Sequence, residues 1–432
     1  MSAATFPAPA RRLVLQLLAL VLLAVAPPGA RAAGADGANQ IVVAVADVPD
    51  AIASPGSTLR GYGGLPAYSG GSRAIATARA IAREYGLREL ASWPIEPLHW
   101  RCMLYEAPAR EDRSNLLARL AGDARVRLAQ PLQEFRTLST ATPLARAPTP
   151  APPGLQQDYN DPYIGLQHGF AAIGADEAQR WGDGRGVRIA VIDTGVDRGH
   201  PDLAGRIAES RDFVPGDLDA PGLDRHGTEV AGVIAAVANN GIGIAGIAPR
   251  AELHAFRACV PTETGASSAR CTSYTLALAL GAAIAADARL INLSLGGPPD
   301  PLLTELTRHA IARGAIVVGA LPIDGRPGGF PTGIDGVIAV ASAGQPVAGG
   351  HGLTAPGEDI LTLEPGGHYD YASGSSLAAA HASGAMAVLL QLRPALDAAA
   401  LLALLRPTPA TGQPFDLCHA VLQLDGRAGR CR

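Results

Sequence analysis

Short apolar runs alternate with stretches of helical periodicity through the larger part of this chain, residues 157–408. Runs bounded by turn residues predict buried strands, and longer stretches rich in alanine and leucine predict helices. Apolar strands separated by helices indicate an α/β fold, a parallel sheet with helices on both faces. The predicted strands are 187–192, 253–258, 290–295, 315–319 and 337–341, and the predicted helices are 226–238, 273–286, 301–313 and 376–392.

Residues 40–136 have a different pattern, which predicts a separate unit. The predicted order is strand, helix, two strands, helix and strand, and this order is typical of a small α+β ferredoxin-like unit. The elements are a strand at 41–46, a helix at 72–85, two strands within 90–106, a helix at 111–121 and a strand at 125–134. Residues 137–156 are rich in proline and predict a semi-extended linker, and we interpret residues 409–432 as a C-terminal tail.

The first 32 residues have the pattern of a signal peptide. Arg11 and Arg12 precede an apolar run at 13–26, and a small-residue site follows at 30–32. A basic start, a short apolar run and a small-residue exit are typical of export signals. The run is too short to span a bilayer comfortably. We therefore expect an exported protein, periplasmic or secreted, without a stable membrane anchor.

Composition and charge narrow the classes of partner. The formal net charge is −4, so nothing indicates nucleic acid as a partner. Aromatic residues make up 4% of the chain, which indicates a core of small aliphatic side chains. The chain has no Cys-x-x-Cys or His-x-x-x-His pattern of the kind that binds zinc.

The five cysteines become disulfide candidates if the protein is exported. Cys259 and Cys271 flank a polar stretch and could close a surface loop, and Cys418 and Cys431 could close the C-terminal tail. Cys102 is then left over. The pairing itself does not follow from sequence.

Three segments together supply a carboxylate, an imidazole and a hydroxyl. They are Asp-Thr-Gly-Val-Asp at 193–197, His-Gly-Thr at 226–228 and Gly-Ser-Ser-Leu-Ala at 374–378. Nucleophilic acyl transfer needs a hydroxyl that attacks, a base that takes its proton and an acid that orients the base. Asp193 follows a predicted strand, whereas His226 and Ser376 open predicted helices.

Each segment alone has a simpler interpretation. Asp193 could be a turn aspartate, His226 a capping histidine and Ser376 an ordinary N-cap serine. Ser373 and Ser375 are close rivals of Ser376. Asp-Thr-Gly also occurs in aspartic proteases, but they need a second carboxylate, and the chain has no second such tripeptide.

The segments in this order resemble the subtilase family of serine proteases. Further matching segments are His200-Pro201-Asp202-Leu203, residues 239–249, residues 291–297, Ala355-Pro356-Gly357 and residues 373–378. The resemblance covers residues 157–408 and implies a subtilisin-like catalytic domain with Asp193, His226 and Ser376 as the triad. His381 and Gly384 are also in register. Residues 40–136 resemble the family's inhibitory propeptide, which implies a zymogen.

The resemblance also implies ligands and partners. Asn292, Ser294, Leu295 and Gly296 would bind the backbone of a protein or peptide substrate as an added strand. Asp202 and Asn240, with the carbonyls of Ile242 and Ile244, would hold a structural calcium ion, since calcium prefers oxygen ligands. No cofactor is expected for the chemistry. The partners would be substrates and the chain's own propeptide, and we expect a monomer.

The chain departs from the family pattern at the oxyanion donor. Subtilases usually carry Gly-Asn after the strand that corresponds to 315–319, but residues 319–325 contain no asparagine. Loss of this donor costs subtilisin about 100- to 1000-fold in turnover. We therefore predict a serine endopeptidase of slow or unusual activity. The alternatives are a catalytically impaired peptide-binding module and an esterase that uses the same triad.

Overall fold

The structure is a computed structural model that describes residues 39–48, 70–140, 158–216, 224–345, 347, 352–406, 413–425 and 431. All of these lie in one compact unit, Asn39–Arg432. The predicted signal peptide and residues 141–157 of the predicted linker lie outside the described residues.

The N-terminal part is an antiparallel sheet with two helices, which confirms the ferredoxin-like prediction. The strand order is β2-β3-β1-β4. Alternate residues of β1 face opposite sides of the sheet. Ile41 and Val43 pack against the two helices of the N-terminal part, whereas Val42 and Ala44 join a core cluster of the larger part. The strands are β1 (Gln40–Ala46), β2 (Arg88–Ile95), β3 (Trp100–Glu106) and β4 (Val126–Pro131), and the helices are α1 (Gly70–Tyr85) and α2 (Arg113–Ala121).

The larger part is built on a seven-stranded sheet in which every pair of neighbours is parallel. Sequence analysis predicted the five central strands and missed the two edges. The edge strand at 207–212 carries charged, exposed side chains on both faces, so no apolar period marks it. In sheet order the strands are β16 (Gly352–Ala355), β15 (Ile338–Ser342), β14 (Ile316–Ala320), β12 (Leu290–Leu293), β7 (Arg188–Asp193), β9 (Glu252–Arg257) and β8 (Ile207–Asp212).

Helices cover both faces of this sheet, as predicted. Ile189 and Val191 of β7 belong to one core cluster with α5 and α8, and Ala190 and Ile192 belong to the other with α6 and α7. The helices after α2 are α3 (His168–Ala172), α4 (Ala175–Ala178), α5 (Arg225–Ala235), α6 (Ser273–Ala285), α7 (Pro301–Ala312), α8 (Ser375–Leu392), α9 (Ala398–Leu405) and α10 (Leu417–Asp425).

Helix α8 is the central helix of the larger unit. Among the helices in the described part of the chain, it alone combines the length and the hydropathy needed to cross a membrane. It is 89% buried within the protein, and its residues pack in the core beside the parallel sheet. We therefore interpret it as the core helix of the larger unit.

Two small sheets correct the predicted linker. One has the order β10 (Cys259–Pro261), β11 (Ala269–Thr272), β5 (Glu134–Thr137), β13 (Leu295–Gly296), and the other has the order β17 (Ile360–Glu364), β18 (His368–Gly374), β6 (Ser139–Thr140). Within the predicted linker, Thr137 therefore pairs with Leu295, and Ser139 and Thr140 pair with Gly374 and Ser373.

The described part of the predicted C-terminal tail, residues 413–425, packs against the main core. Helix α10 belongs to this region, and Phe415, Leu417 and Val421 are buried in the main core. The disulfides Cys259–Cys271 and Cys418–Cys431 are present as predicted, and Cys102 is free and buried. Burial of apolar side chains therefore makes this region part of the larger part of the structure, the part built on the parallel sheet.

Candidate active site

Asp193 and His226 form a buried pair at the carboxyl end of the parallel sheet. Asp193 is the last residue of β7, and His226 is the second residue of α5. His226 Nδ1 lies 2.6 Å from Asp193 Oδ1, and Thr194 N–H donates to the same oxygen at 2.7 Å. Ligands and reactive groups gather at this edge in open α/β sheets.

A close backbone contact at Gly227 determines how near α5 lies to the end of β7. A Cβ at Gly227 would lie 1.9 Å from the carbonyl oxygen of Gly195, so a side chain there would push the helix away. Gly227 N–H also donates to Thr194 Oγ1 at 3.0 Å. The Asp-Thr-Gly and His-Gly-Thr segments therefore lock together, and this contact brings the imidazole to the carboxylate.

The environment of His226 favours its protonated form. Burial opposes the imidazolium, but the charge and hydrogen bond of Asp193, together with the charge of Glu229, outweigh burial and raise the pKa of His226. The cause is an opposite charge in contact within a buried site. The imidazole can therefore take a proton and be stabilised as a cation.

Ser376 is the second residue of α8, the longest described helix. Its hydroxyl donates to the carbonyl oxygen of Ser294 at 2.9 Å and accepts from Leu138 N–H at 3.1 Å. The rival serines are engaged elsewhere: Ser375 Oγ donates to Leu321 O at 2.5 Å, and Ser373 Oγ accepts from Asp359 N–H at 2.9 Å.

The peptide group between Leu138 and Ser139 lies among the three predicted triad residues. Leu138 O accepts from Ser376 N–H at 3.5 Å, and Ser139 Oγ lies 3.1 Å from His226 Nε2. The predicted triad is therefore brought together, but the imidazole contacts Ser139 and Ser376 contacts Leu138. A segment of the chain itself separates base from nucleophile.

Residues 134–137, which precede this peptide group, form strand β5. The neighbouring strands β13 and β11 form the two walls of the cleft around it. Leu295 and Gly296 pair antiparallel with Thr137 and Arg136, and Leu138 N–H donates to Ser294 O at 3.3 Å. On the other side, β11 pairs antiparallel with β5. Main-chain bonding of this kind is strand addition, the mode in which Ser294, Leu295 and Gly296 are expected to bind a substrate.

Asn292 has a different position from the other predicted substrate-binding residues. It is fully buried, its Nδ2 donates to Ser294 Oγ at 2.9 Å, and its Oδ1 accepts from Ser383 Oγ at 2.9 Å. Ser294 Oγ in turn donates to Ser376 O at 3.0 Å. Asn292 therefore positions Ser294 and the start of α8, and its side chain bonds to these groups rather than to the bound segment.

Three features of the site were missed by sequence reasoning. They are the second wall β11, the hydroxyl of Ser139 and the space at Gly374. A Cβ at Gly374 would lie 2.3 Å from Leu138 O, so glycine is required where the bound segment passes. The flanking pair Cys259 and Cys271 was the available signal for β11, since Cys271 belongs to that strand.

The region of the usual oxyanion donor holds no replacement among its described side chains. Leu321 is fully buried and its carbonyl is taken by Ser375. Ile323 is 80% exposed, and Asp324 Oδ1 accepts from Arg326 N–H at 3.1 Å. Within the described residues, the donor observed on Leu138 O is the backbone N–H of Ser376.

Two of the four residues predicted for calcium, Asp202 and Asn240, have side-chain oxygens that accept hydrogen bonds in this structure. Asp202 Oδ1 accepts from Asn240 Nδ2 at 2.7 Å, and Asp202 Oδ2 accepts from Ile244 N–H at 2.9 Å. Asn240 Oδ1 accepts from Ile242 N–H at 3.0 Å. N–H donors therefore approach three of the oxygens that a calcium ion would need, and the calcium site stays a prediction.

His381, which the motif match included, lies within α8 and is buried. Its Nδ1 lies 2.9 Å from Leu377 O, and burial lowers its pKa to about 4. It is therefore neutral at physiological pH.

A model of the subtilase family matches residues 184–419, more than half of the chain. The chain belongs to the subtilase family. It is thus a subtilisin-like serine endopeptidase. It is 35% identical over 241 residues to thermitase of Thermoactinomyces vulgaris, covering 53% of this chain and 84% of the relative. It is 38% identical over 242 residues to a thermophilic serine proteinase of Bacillus sp. strain AK1, covering 53% of this chain and 59% of that relative.

Solved structures of this fold are also similar to the subtilase described here. Fervidolysin of Fervidobacterium pennivorans, described as a keratinolytic enzyme related to subtilisin, matches with a TM-score of 0.66 at 22% identity. The match covers 91% of this chain and 61% of fervidolysin. At this identity the likeness concerns the fold, and it extends over the N-terminal sheet as well as the parallel one.

Proposed function

We propose that the chain is an exported serine endopeptidase made as a zymogen, which cuts itself between Leu138 and Ser139. Asp193, His226 and Ser376 would be its catalytic triad. The N-terminal unit would remain bound as an intramolecular inhibitor until it is removed. The observation that carries the proposal is the segment 134–140, strands β5 and β6 joined by Leu138, which passes through the site with the Leu138–Ser139 peptide group at Ser376.

The roles follow from the contacts. Ser376 Oγ attacks the carbonyl carbon of Leu138, and His226 takes the serine proton and passes it to the amine of Ser139 as the peptide bond breaks. Water then hydrolyses the Leu138 ester, with His226 again as the base, and frees Ser376. Asp193 keeps the imidazole oriented and stabilises its cation. Because Ser139 now occupies His226 Nε2, the imidazole must turn from Ser139 to Ser376 before attack.

Inhibition by the N-terminal unit is supported by how it is attached to the site. Strand β5 follows β4 of that unit directly and fills the cleft between β11 and β13. A peptide substrate would need the same backbone partners. Export is supported by the two disulfides, which are typical of oxidising compartments, and by the signal-like N-terminus.

N-terminal sequencing of the secreted protein tests export, processing and catalysis together. Wild type should begin at Ser139, and Ser376→Ala should keep the N-terminal unit. Ser373→Ala is the matched control in the same segment, and it should mature as wild type does. A fluorophosphonate probe should label wild type at Ser376.

Two outcomes would contradict the proposal. If Ser376→Ala matures and cleaves casein like wild type, the assignment of Ser376 as the nucleophile is wrong. If the mature protein is not labelled and cleaves no peptide, it is a peptide-binding module. The names of its relatives do not favour that reading.

A further inference from the structure

We propose that this protease selects a hydroxyl-bearing residue, threonine or serine, at the second position before the bond it cuts. The inference rests on the proposed function, in which Leu138 precedes the scissile bond and Thr137 is that second residue. Thr137 is 7% exposed. Its Oγ1 accepts from Ala269 N–H at 2.9 Å and donates to Ser267 O at 3.1 Å.

The hydroxyl replaces a main-chain bond of the sheet. Arg136 pairs with Arg270 across β5 and β11, and the ladder ends there. One step further, the N–H of Ala269 bonds to the side chain of Thr137 instead of a backbone carbonyl. The residue at this position therefore completes the wall of the cleft only if its side chain both donates and accepts.

Buried polar groups make this a selective contact. Ser267 and Ala269 are 2% and 1% exposed, so water cannot easily take over their peptide groups. Valine has the shape of threonine without the hydroxyl, and it would leave one donor and one acceptor unpaired. Unpaired buried groups cost more than the net value of the bond that is lost.

The acceptor is held by a second contact that reaches the histidine helix. Ser267 Oγ donates to Glu229 Oε1 at 2.8 Å, and Arg225 Nε donates to the same oxygen at 2.7 Å. Glu229 is fully buried and lies on α5 with His226. Ser267 is thus a positioning residue, since it orients its own carbonyl toward the substrate hydroxyl through Glu229.

The substrate test uses quenched fluorescent peptides with the sequence of residues 133–142 and Thr, Ser, Val or Ala in place of residue 137. The enzyme is the full chain after its own maturation. We expect kcat/KM for Thr and Ser to exceed that for Val and Ala by about ten- to hundredfold. Equal values for Thr and Val would overturn the inference.

The enzyme test uses Ser267→Ala, which keeps the carbonyl and removes its anchor to Glu229. We expect the ratio of kcat/KM for the Thr peptide to that for the Val peptide to fall at least threefold. Ser268→Ala is the matched control: Ser268 is exposed and its hydroxyl pairs with Thr262, so the ratio should stay unchanged. An unchanged ratio in Ser267→Ala would overturn the positioning role.

Failure of the inference is distinguishable from failure of the proposed function. Cleavage of all four peptides at equal rates, absent in Ser376→Ala, leaves the protease intact and removes the selectivity. Absence of any cleavage that depends on Ser376 overturns both.

Discussion

At the scale of single residues, the site is controlled by what His226 contacts. Its Nδ1 is held by Asp193 at 2.6 Å and its Nε2 by Ser139 at 3.1 Å. The first contact raises the pKa of the imidazole and suits it to accept a proton. The second contact keeps it from Ser376 as long as the bound segment is in place.

Asp193→Asn should lower kcat/KM by about 10⁴-fold, the order of loss when a triad aspartate is removed. The pH dependence of kcat/KM should also shift in a defined direction. Neutral imidazole is the base, so wild-type kcat/KM rises with pH through the pKa of His226, which Asp193 raises above the ordinary value of histidine. Without the carboxylate that pKa falls, so the rising limb should move to lower pH. Profiles of mature protein on one fluorogenic peptide measure this, and an unshifted limb would contradict it.

Ser139→Ala should speed self-cleavage several-fold, because it frees His226 Nε2 to meet Ser376. The time course of conversion of the full-length chain measures the rate. Ser139→Thr keeps the hydroxyl and should behave like wild type. Slower conversion of Ser139→Ala would show instead that the hydroxyl assists the reaction.

At the scale of elements, the cleft depends on β11, which has no place in the parallel sheet. It pairs with β10 on one side and with the bound strand β5 on the other. The Cys259–Cys271 disulfide links β10 to β11. It therefore braces the wall against which a substrate must pair.

Removing this disulfide by Cys259→Ser with Cys271→Ser should cost about 3 kcal/mol of unfolding free energy, the value for a short closed loop. It should also raise KM for peptides, because the wall loosens. Cys418→Ser with Cys431→Ser is the matched control, with 13 residues of separation against 12. Its stability cost should be similar and its KM unchanged. Denaturant titration and steady-state kinetics measure the two effects, and an equal KM change in both variants would contradict the bracing role.

At the scale of the whole molecule, the N-terminal sheet is held on α6 and α7 by a few buried contacts. Gln130 Nε2 donates to Asp300 Oδ2 at 2.7 Å, and Leu302 N–H donates to Gln130 Oε1 at 3.0 Å. Trp93 stacks edge-on against Tyr274 with ring centroids 4.7 Å apart. Asp300 is fully buried, and burial raises its pKa.

Gln130→Ala should weaken retention of the cleaved N-terminal unit by about ten- to hundredfold, since it removes one donor from Asp300 and the acceptor of the Leu302 N–H. The expected result is a shorter lag before casein is cleaved after maturation begins. Arg127→Ala is the control, because Arg127 is exposed on the same strand. An equal lag in all three proteins would contradict the role of Gln130.

The order of the helices and strands and the predicted triad could be inferred from the amino-acid sequence, because local sequence patterns indicate them. Apolar runs predicted the central strands, and Gly195 and Gly227 permit the contact that joins Asp193 to His226. The spacing of Cys259 and Cys271 pointed to one disulfide. Each of these depends on period or on a short motif.

Features that depend on a distant partner needed the tertiary structure. Residues 137–140 belong to a stretch that looks like a proline-rich linker in the sequence. Thr137, Ser139 and Thr140 lie in strands only because β13 and β18 have free edges where they pass. Three further contacts likewise join segments far apart in sequence. They are the bond between Ser383 and Asn292, the bond between Ala269 and the hydroxyl of Thr137, and the bond from Ile244 N–H to Asp202. Sequence by itself thus determined which chemical groups and elements this protein has. Tertiary structure decided which of them meet, because long-range hydrogen bonding leaves no periodic trace along the chain.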